Sequence, residues 1–97
     1  MRDIISIISY GDYSSGNYGA HTLQVNIGPV EFYFSYSTLV AFRTPKDDLV
    51  CSENIWGNTT GKHLNWIEPD KKQRVTHDEF EKRANRLLDR YRLHISI

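Results

Sequence analysis

The stretch Thr22-Leu23-Gln24-Val25-Asn26-Ile27-Gly28-Pro29-Val30-Glu31-Phe32-Tyr33-Phe34-Ser35-Tyr36 decides the fold. Leu23, Val25 and Ile27 alternate with polar residues up to Gly28-Pro29, and Val30, Phe32, Phe34 and Tyr36 alternate with Glu31, Tyr33 and Ser35 beyond it. Period two on both sides of a two-residue break predicts a β-hairpin. Gly28 can take a positive φ and Pro29 holds a negative one, the combination a type II′ turn requires. That turn pairs Ile27 with Val30, Val25 with Phe32, Leu23 with Phe34 and His21 with Tyr36. The apolar residues then share one face, and a one-residue slip would expose them all. The sheet is expected to have one buried and one wet face.

Working outward, Ile4 to Ile8 reads as a first strand, and Tyr10 to Gly19, full of turn formers, as a loop. Leu39 to Phe42 reads as a strand, Thr44 to Asp48 as a turn, and Leu49 to Cys51 as the returning strand. Ser35-Tyr36-Ser37-Thr38 holds neither Gly nor Pro, so residues 30 to 43 fit one bent strand or two. Asn54 to Asn65 is irregular, with room for a short helix over Thr60 to Ile67, and Pro69 to Lys72 is a polar connector. Thr76-His77-Asp78-Glu79 opens a helix with a capping box: Thr76 accepts from the Glu79 amide and Glu79 reaches back. Phe80, Ala84, Leu87, Leu88 and Tyr91 form its apolar stripe. The expected fold is α+β: an antiparallel sheet of four to five strands in meander or hairpin order, packed on one C-terminal helix in two layers, as a single domain over residues 1–97.

The 97 residues are 39% hydrophobic and 25% charged, with zero formal net charge. That composition suits a globular domain and supplies no global field toward nucleic acid or an anionic membrane. The apolar start is too short and too interrupted to span a bilayer or serve as a signal core, so no membrane partner and a cytoplasmic location are expected. The single cysteine, Cys51, precludes an internal disulfide and argues for a reducing compartment. Asn58-Thr59-Thr60 matches a glycosylation sequon, read as chance in this context.

Two loops carry the functional candidates. The first, Tyr10 to Gly19, resembles a paratope in composition: tyrosines such as Tyr13 and Tyr18 offer amphipathic contact area, and Ser15 and Asn17 adaptable hydrogen bonding. Its plainer reading is a long connection whose tyrosines fold back on the core. The second, Ser52 to Trp66, gathers Asn54, Trp56, Thr60, Lys62, His63 and Asn65. Backbone amides of Thr59-Thr60-Gly61 with Lys62 can hold an anion such as a phosphate or carboxylate. It is not a P-loop, because the glycine spacing is one residue short and His63 stands where Ser or Thr should bind magnesium. Its plainer reading has Trp56, Leu64, Trp66 and Ile67 anchoring a long loop.

No His-x-x-x-His or Cys-x-x-Cys pair occurs, so neither a metal nor another cofactor is expected. A Cys51–His63 nucleophilic pair is conceivable, but Cys51 shares its strand face with Leu49, which favours a buried, inert thiol. The chain therefore leans away from an enzyme, with a small enzyme using His63 or Cys51 as a third reading. The basic residues of 71 to 92 offer a different surface: Lys71 and Lys72 with Arg83, Arg86 and Arg90 on one helix flank can grip phosphates. Glu79–Arg83 and Asp78–Lys82 at i, i+4 argue instead for a paired, solvated face.

Asn17-Tyr18-Gly19-Ala20-His21-Thr22-Leu23, Phe34-Ser35-Tyr36-Ser37-Thr38-Leu39-Val40-Ala41-Phe42 and Ser52-Glu53-Asn54-Ile55-Trp56-Gly57-Asn58-Thr59-Thr60-Gly61-Lys62-His63-Leu64-Asn65 together resemble a family of small phage and prophage proteins without an assigned activity. The resemblance runs from about Tyr10 to about Arg90 and brings no catalytic residue. By analogy of size and source it implies a protein that attaches to a host component, inhibitors of host defence nucleases (anti-CRISPR proteins) being one such class. The expectation is a binding protein that contacts a host or phage protein through the two loops. A nucleic-acid or nucleotide module using Lys62, His63 and the basic residues of 71–92 is the alternative. An exposed sheet edge leaves monomer and homodimer both open.

Overall fold

The structure is a computed structural model that describes residues 5–10 and 22–91. Five strands, β1 (Ile5–Ser9), β2 (Thr22–Ile27), β3 (Val30–Ser35), β4 (Thr38–Thr44) and β5 (Asp48–Cys51), form one antiparallel sheet in the order β1-β2-β3-β4-β5. Helix α1 (Asn58–Ile67), a 3-10 turn (Lys71–Gln73) and helix α2 (His77–Tyr91) follow. The architecture is the expected α+β one, a meander sheet layered on the C-terminal helix.

The hairpin keeps the register that its alternation demands: Leu23 faces Phe34, Val25 faces Phe32 and Ile27 faces Val30. Gly28 has φ 56°, and Pro29 excludes a second positive φ, which leaves the type II′ turn. Residues 30 to 43 form two strands, not one. The chain reverses at Tyr36-Ser37 with Tyr36 at φ 57°, a left-handed conformation that an aromatic residue adopts only when its surroundings impose it. The β3–β4 register shifts between Tyr33 and Phe34: Phe34 faces Leu39 while Tyr33 faces Ala41, so Val40 is the extra residue of a bulge. This explains how Leu39 and Ala41, two apart on one strand, serve opposite faces.

One face carries Val30, Phe32, Leu39, Phe42 and Val50, buried against Phe80, Ala84, Leu87 and Leu88 of α2, with Val25, Ile27 and Phe34 half-buried at the margin. Tyr91, expected in the same stripe, is 40% exposed. The opposite face is only partly wet. Near β1–β3 it is a polar ladder in which Asn26 donates to Ser6, Gln24 to Asn26 and Glu31, and Tyr33 to Glu31. Toward β5 it buries Tyr33, Val40, Ala41 and Cys51 beneath Leu64 of α1. The half-covered polar face corrects the expectation of a uniformly solvated one.

The helix starts are held from outside. The Glu79 amide donates to Thr76 Oγ1 at 3.3 Å, but the Glu79 carboxylate pairs with Arg83 at 3.0 Å rather than reaching back. The His77 amide donates instead to Glu53 Oε2 at 2.8 Å. A parallel bridge between Ser52 and Val75, with Val75 N donating to Cys51 O and Glu53 N to Val75 O, ties the end of β5 to the connector before α2.

Candidate functional site

The second candidate loop is a turn followed by α1, and this divides its residues. Asn54 organises the turn: its Oδ1 accepts from the amides of Trp56 and Gly57, and its Nδ2 donates to Gly57 O. Gly61 permits this, since a Cβ there would lie 2.9 Å from Asn54 Nδ2. Helical spacing then turns Thr60, His63 and Leu64 inward and Lys62, Asn65 and Trp66 outward.

Thr60 and His63 are thus interior residues. Ser35 Oγ lies 2.9 Å from Thr60 Oγ1 and 2.6 Å from His63 Nδ1, and the His63 ring sits among Tyr10 and Tyr36. Neither can meet a partner at the surface, which corrects the sequence expectation for both. Of the Thr59–Gly61 amides offered to an anion, that of Gly61 is used inside the helix, donating to Gly57 O at 2.8 Å.

Several outward residues are large and apolar. Trp66 is 51% exposed and stands against Tyr10, with ring centroids 5.5 Å apart; Ile55, in the turn, is 55% exposed. Trp56 is half-buried, edge-on to His77. Beside them, α1 and the 3-10 turn enclose a cleft of about 650 Å³, lined by Glu53, Asn54, Lys62, Asn65, Lys71 and Arg74 among others. Of these, the sequence marks Asn54, Lys62, Asn65 and Lys71 as site residues, whereas Arg74 counts there only among the basic residues of 71–92 and Glu53 is not singled out. The signal available was Arg74's place two residues before the capping Thr76, where the chain returns to the sheet.

Of the alternative basic set, Lys72 is exposed, as are Arg83, Arg86 and Arg90 on α2. Lys62, Lys71 and Arg74 of that set line the cleft. Arg83 is paired with Glu79, as the i, i+4 spacing implies. Tyr13, Ser15, Asn17 and Tyr18, and also His21, lie outside the described residues.

The two nucleophile arrangements are both interior. Cys51 is 1% exposed, and burial pushes its thiol up to about 12, against the opposing pull of Arg74. Ser35 and His63 stand at nucleophile–base distance, yet they are 2% and 0% exposed. Among the described residues no group of three or more His, Cys, Asp or Glu side chains has a metal-binding arrangement, and no helix is long and apolar enough to cross a membrane.

No curated protein and no solved structure matches the chain. A family model does match, over residues 6–82, which takes in the sheet, α1, the cleft and the first turns of α2. The chain therefore belongs to DUF8033, a family of unknown function.

Proposed function

We propose that this chain is a non-enzymatic binding protein that docks on another protein through the outward face of α1 and the turn before it. The observation that carries the reading is the exposure of Trp66 and Ile55 beside Asn54, Lys62 and Asn65. Large apolar side chains ringed by polar ones are what binding hot spots require. The tyrosine-bearing segment with Tyr13, Ser15, Asn17 and Tyr18 is the second proposed contact, on composition alone. The inert Cys51 and the enclosed Ser35–His63 pair favour binding over catalysis. A phage origin, a site of action in the host cytoplasm and inhibition of a host defence system rest on the sequence resemblance only.

The test is capture of partners from host lysate by the tagged chain. A specific protein should be retained by the parent and lost by an Ile55→Ser/Trp66→Ala variant or a Tyr13→Ala/Tyr18→Ala variant. A partner kept by both variants overturns the assigned surface.

A further inference from the structure

The cleft between α1 and the 3-10 turn has a composition unlike the chain around it. The whole chain has zero formal net charge, yet Lys62, Lys71 and Arg74 face this cleft against a single carboxylate, Glu53. Glu53 Oε2 accepts the first amide of α2 at 2.8 Å. Glu68 and Asp70 lie outside the lining, where Asp70 accepts from the Lys72 amide and Glu68 Oε2 from the Asp70 amide. Lys62 and Lys71 form no ion pair among the described residues.

Arg74 is held in a fixed orientation. Its Nε and Nη2 donate to Glu68 O at 3.0 and 2.8 Å, and Nη2 also donates to Asn65 Oδ1 at 2.8 Å. One edge of the guanidinium thereby ties down the C-terminal end of α1. Nη1 has no acceptor among the described residues. The same contact uses the acceptor of Asn65, so its amide nitrogen is left as a donor. The Ser52–Val75 bridge keeps this arrangement in place by fixing the chain just before and just after the cleft. A fixed guanidinium, two exposed ammonium groups and the Asn65 amide thus face the cleft as donors, with Glu53 its one carboxylate.

We propose that this cleft binds a phosphate ester. A phosphate monoester presents three acceptor oxygens and close to two negative charges, which suits donors converging from several directions better than a planar, singly charged carboxylate does. The volume exceeds what one phosphate needs and lies in the range of small-molecule sites. Among the described lining residues none is aromatic, so the cleft reads the phosphate and offers no stacking surface to a base. A free nucleotide and a nucleic-acid backbone share that chemistry. The inference does not depend on protein docking at Trp66.

The test is a titration of the isotope-labelled full chain by NMR in phosphate-free, low-salt buffer, with inorganic phosphate, adenosine monophosphate and a short single-stranded oligonucleotide as probes. Amide shifts at Lys62, Asn65, Lys71 and Arg74 should saturate with inorganic phosphate. A Lys62→Ala/Lys71→Ala variant should bind about ten-fold more weakly; both lysines are exposed, and its spectrum away from the cleft should overlay on the parent's. Tighter binding of the monophosphate identifies a free nucleotide as the source. Tighter binding of the oligonucleotide, falling steeply with salt, identifies a backbone. Shifts that fail to saturate with all three probes, or that are unchanged in the double variant, overturn the proposal.

Discussion

Ser35 Oγ lies 2.6 Å from His63 Nδ1, and the pair joins the end of β3 to the inward face of α1 with both residues out of contact with solvent. The same hydroxyl also meets Thr60 Oγ1 at 2.9 Å. Two buried polar side chains of α1 thus meet at one oxygen of the sheet. Where a buried network shares a single hub, removing the hub costs more than an average hydrogen bond.

Ser35→Ala should accordingly destabilise the chain by about 1–3 kcal/mol, the cost of removing a buried hydrogen-bond partner. Urea unfolding followed by tryptophan fluorescence checks it, because Trp56 precedes α1 and Trp66 lies in its last turn. Ser37→Ala, at an exposed turn position, should stay within about 0.5 kcal/mol. Equal effects of the two would mean that the Ser35 hydroxyl does not hold α1 in place.

The hairpin was legible because alternation and Gly28-Pro29 agree on one register; local and global requirements coincide there. The reversal at Tyr36 was not, since its φ of 57° runs against the ordinary preference of an aromatic residue and no Gly, Pro, Asn or Asp marks the turn. In α1, Gly61 and the β-branched Thr59 and Thr60 weaken the helical signal, which hid the start at Asn58. Yet Thr60, His63 and Leu64 stand at i, i+3 and i+4, and a firm helix boundary would have turned all three inward. The cleft was beyond sequence reasoning because its two walls, residues 53–65 and 71–74, are brought together by the bridge between Ser52 and Val75.

Cys51 makes a pH-dependent contribution to stability. Burial raises its thiol from the ordinary value of 9.0 to about 12, so between these values the unfolded chain loses a proton that the folded chain keeps. Stability is unaffected below pH 9 and falls as the pH rises from 9 toward 12, with a slope from this group approaching about 1.4 kcal/mol per pH unit. Tyrosines and lysines also titrate there, so the measurement is the difference between parent and Cys51→Ala across that range. A difference that does not vary with pH would refute the assignment. The native thiol should also resist a disulfide reagent that reacts at once in denaturant.

The start of α2 is capped by two side chains from different parts of the chain. Thr76 Oγ1 accepts the Glu79 amide, and Glu53 Oε2 accepts the His77 amide. Thr76→Ala should cost about 1 kcal/mol. Glu53→Gln should cost less than Glu53→Ala, since a carboxamide oxygen can still accept while the charge favoured at a helix N-terminus is gone. Thermal unfolding of the three variants checks this order. A Glu53→Ala variant as stable as the parent would show that the contact from beyond β5 does not anchor the helix.

The two faces of the sheet should both prove costly to disturb, which separates the observed packing from a sheet supported on α2 alone. Phe80 is fully buried on α2, 5.7 Å from the Phe42 ring, and Phe80→Ala should cost about 3–5 kcal/mol. Leu64 is equally buried, on the other side, against Tyr33, Val40, Ala41 and Cys51. If α1 is integral to the core, Leu64→Ala should cost about 2–5 kcal/mol, whereas a loosely attached loop segment would give less than about 0.5 kcal/mol. Because the sheet lies between the two sites, the double variant should show near-additive losses, measured by denaturant unfolding in a background stable enough to keep the double variant folded. Loss from Phe80→Ala alone would mean that α1, and with it the Lys62–Arg74 cleft, is not fixed to the sheet.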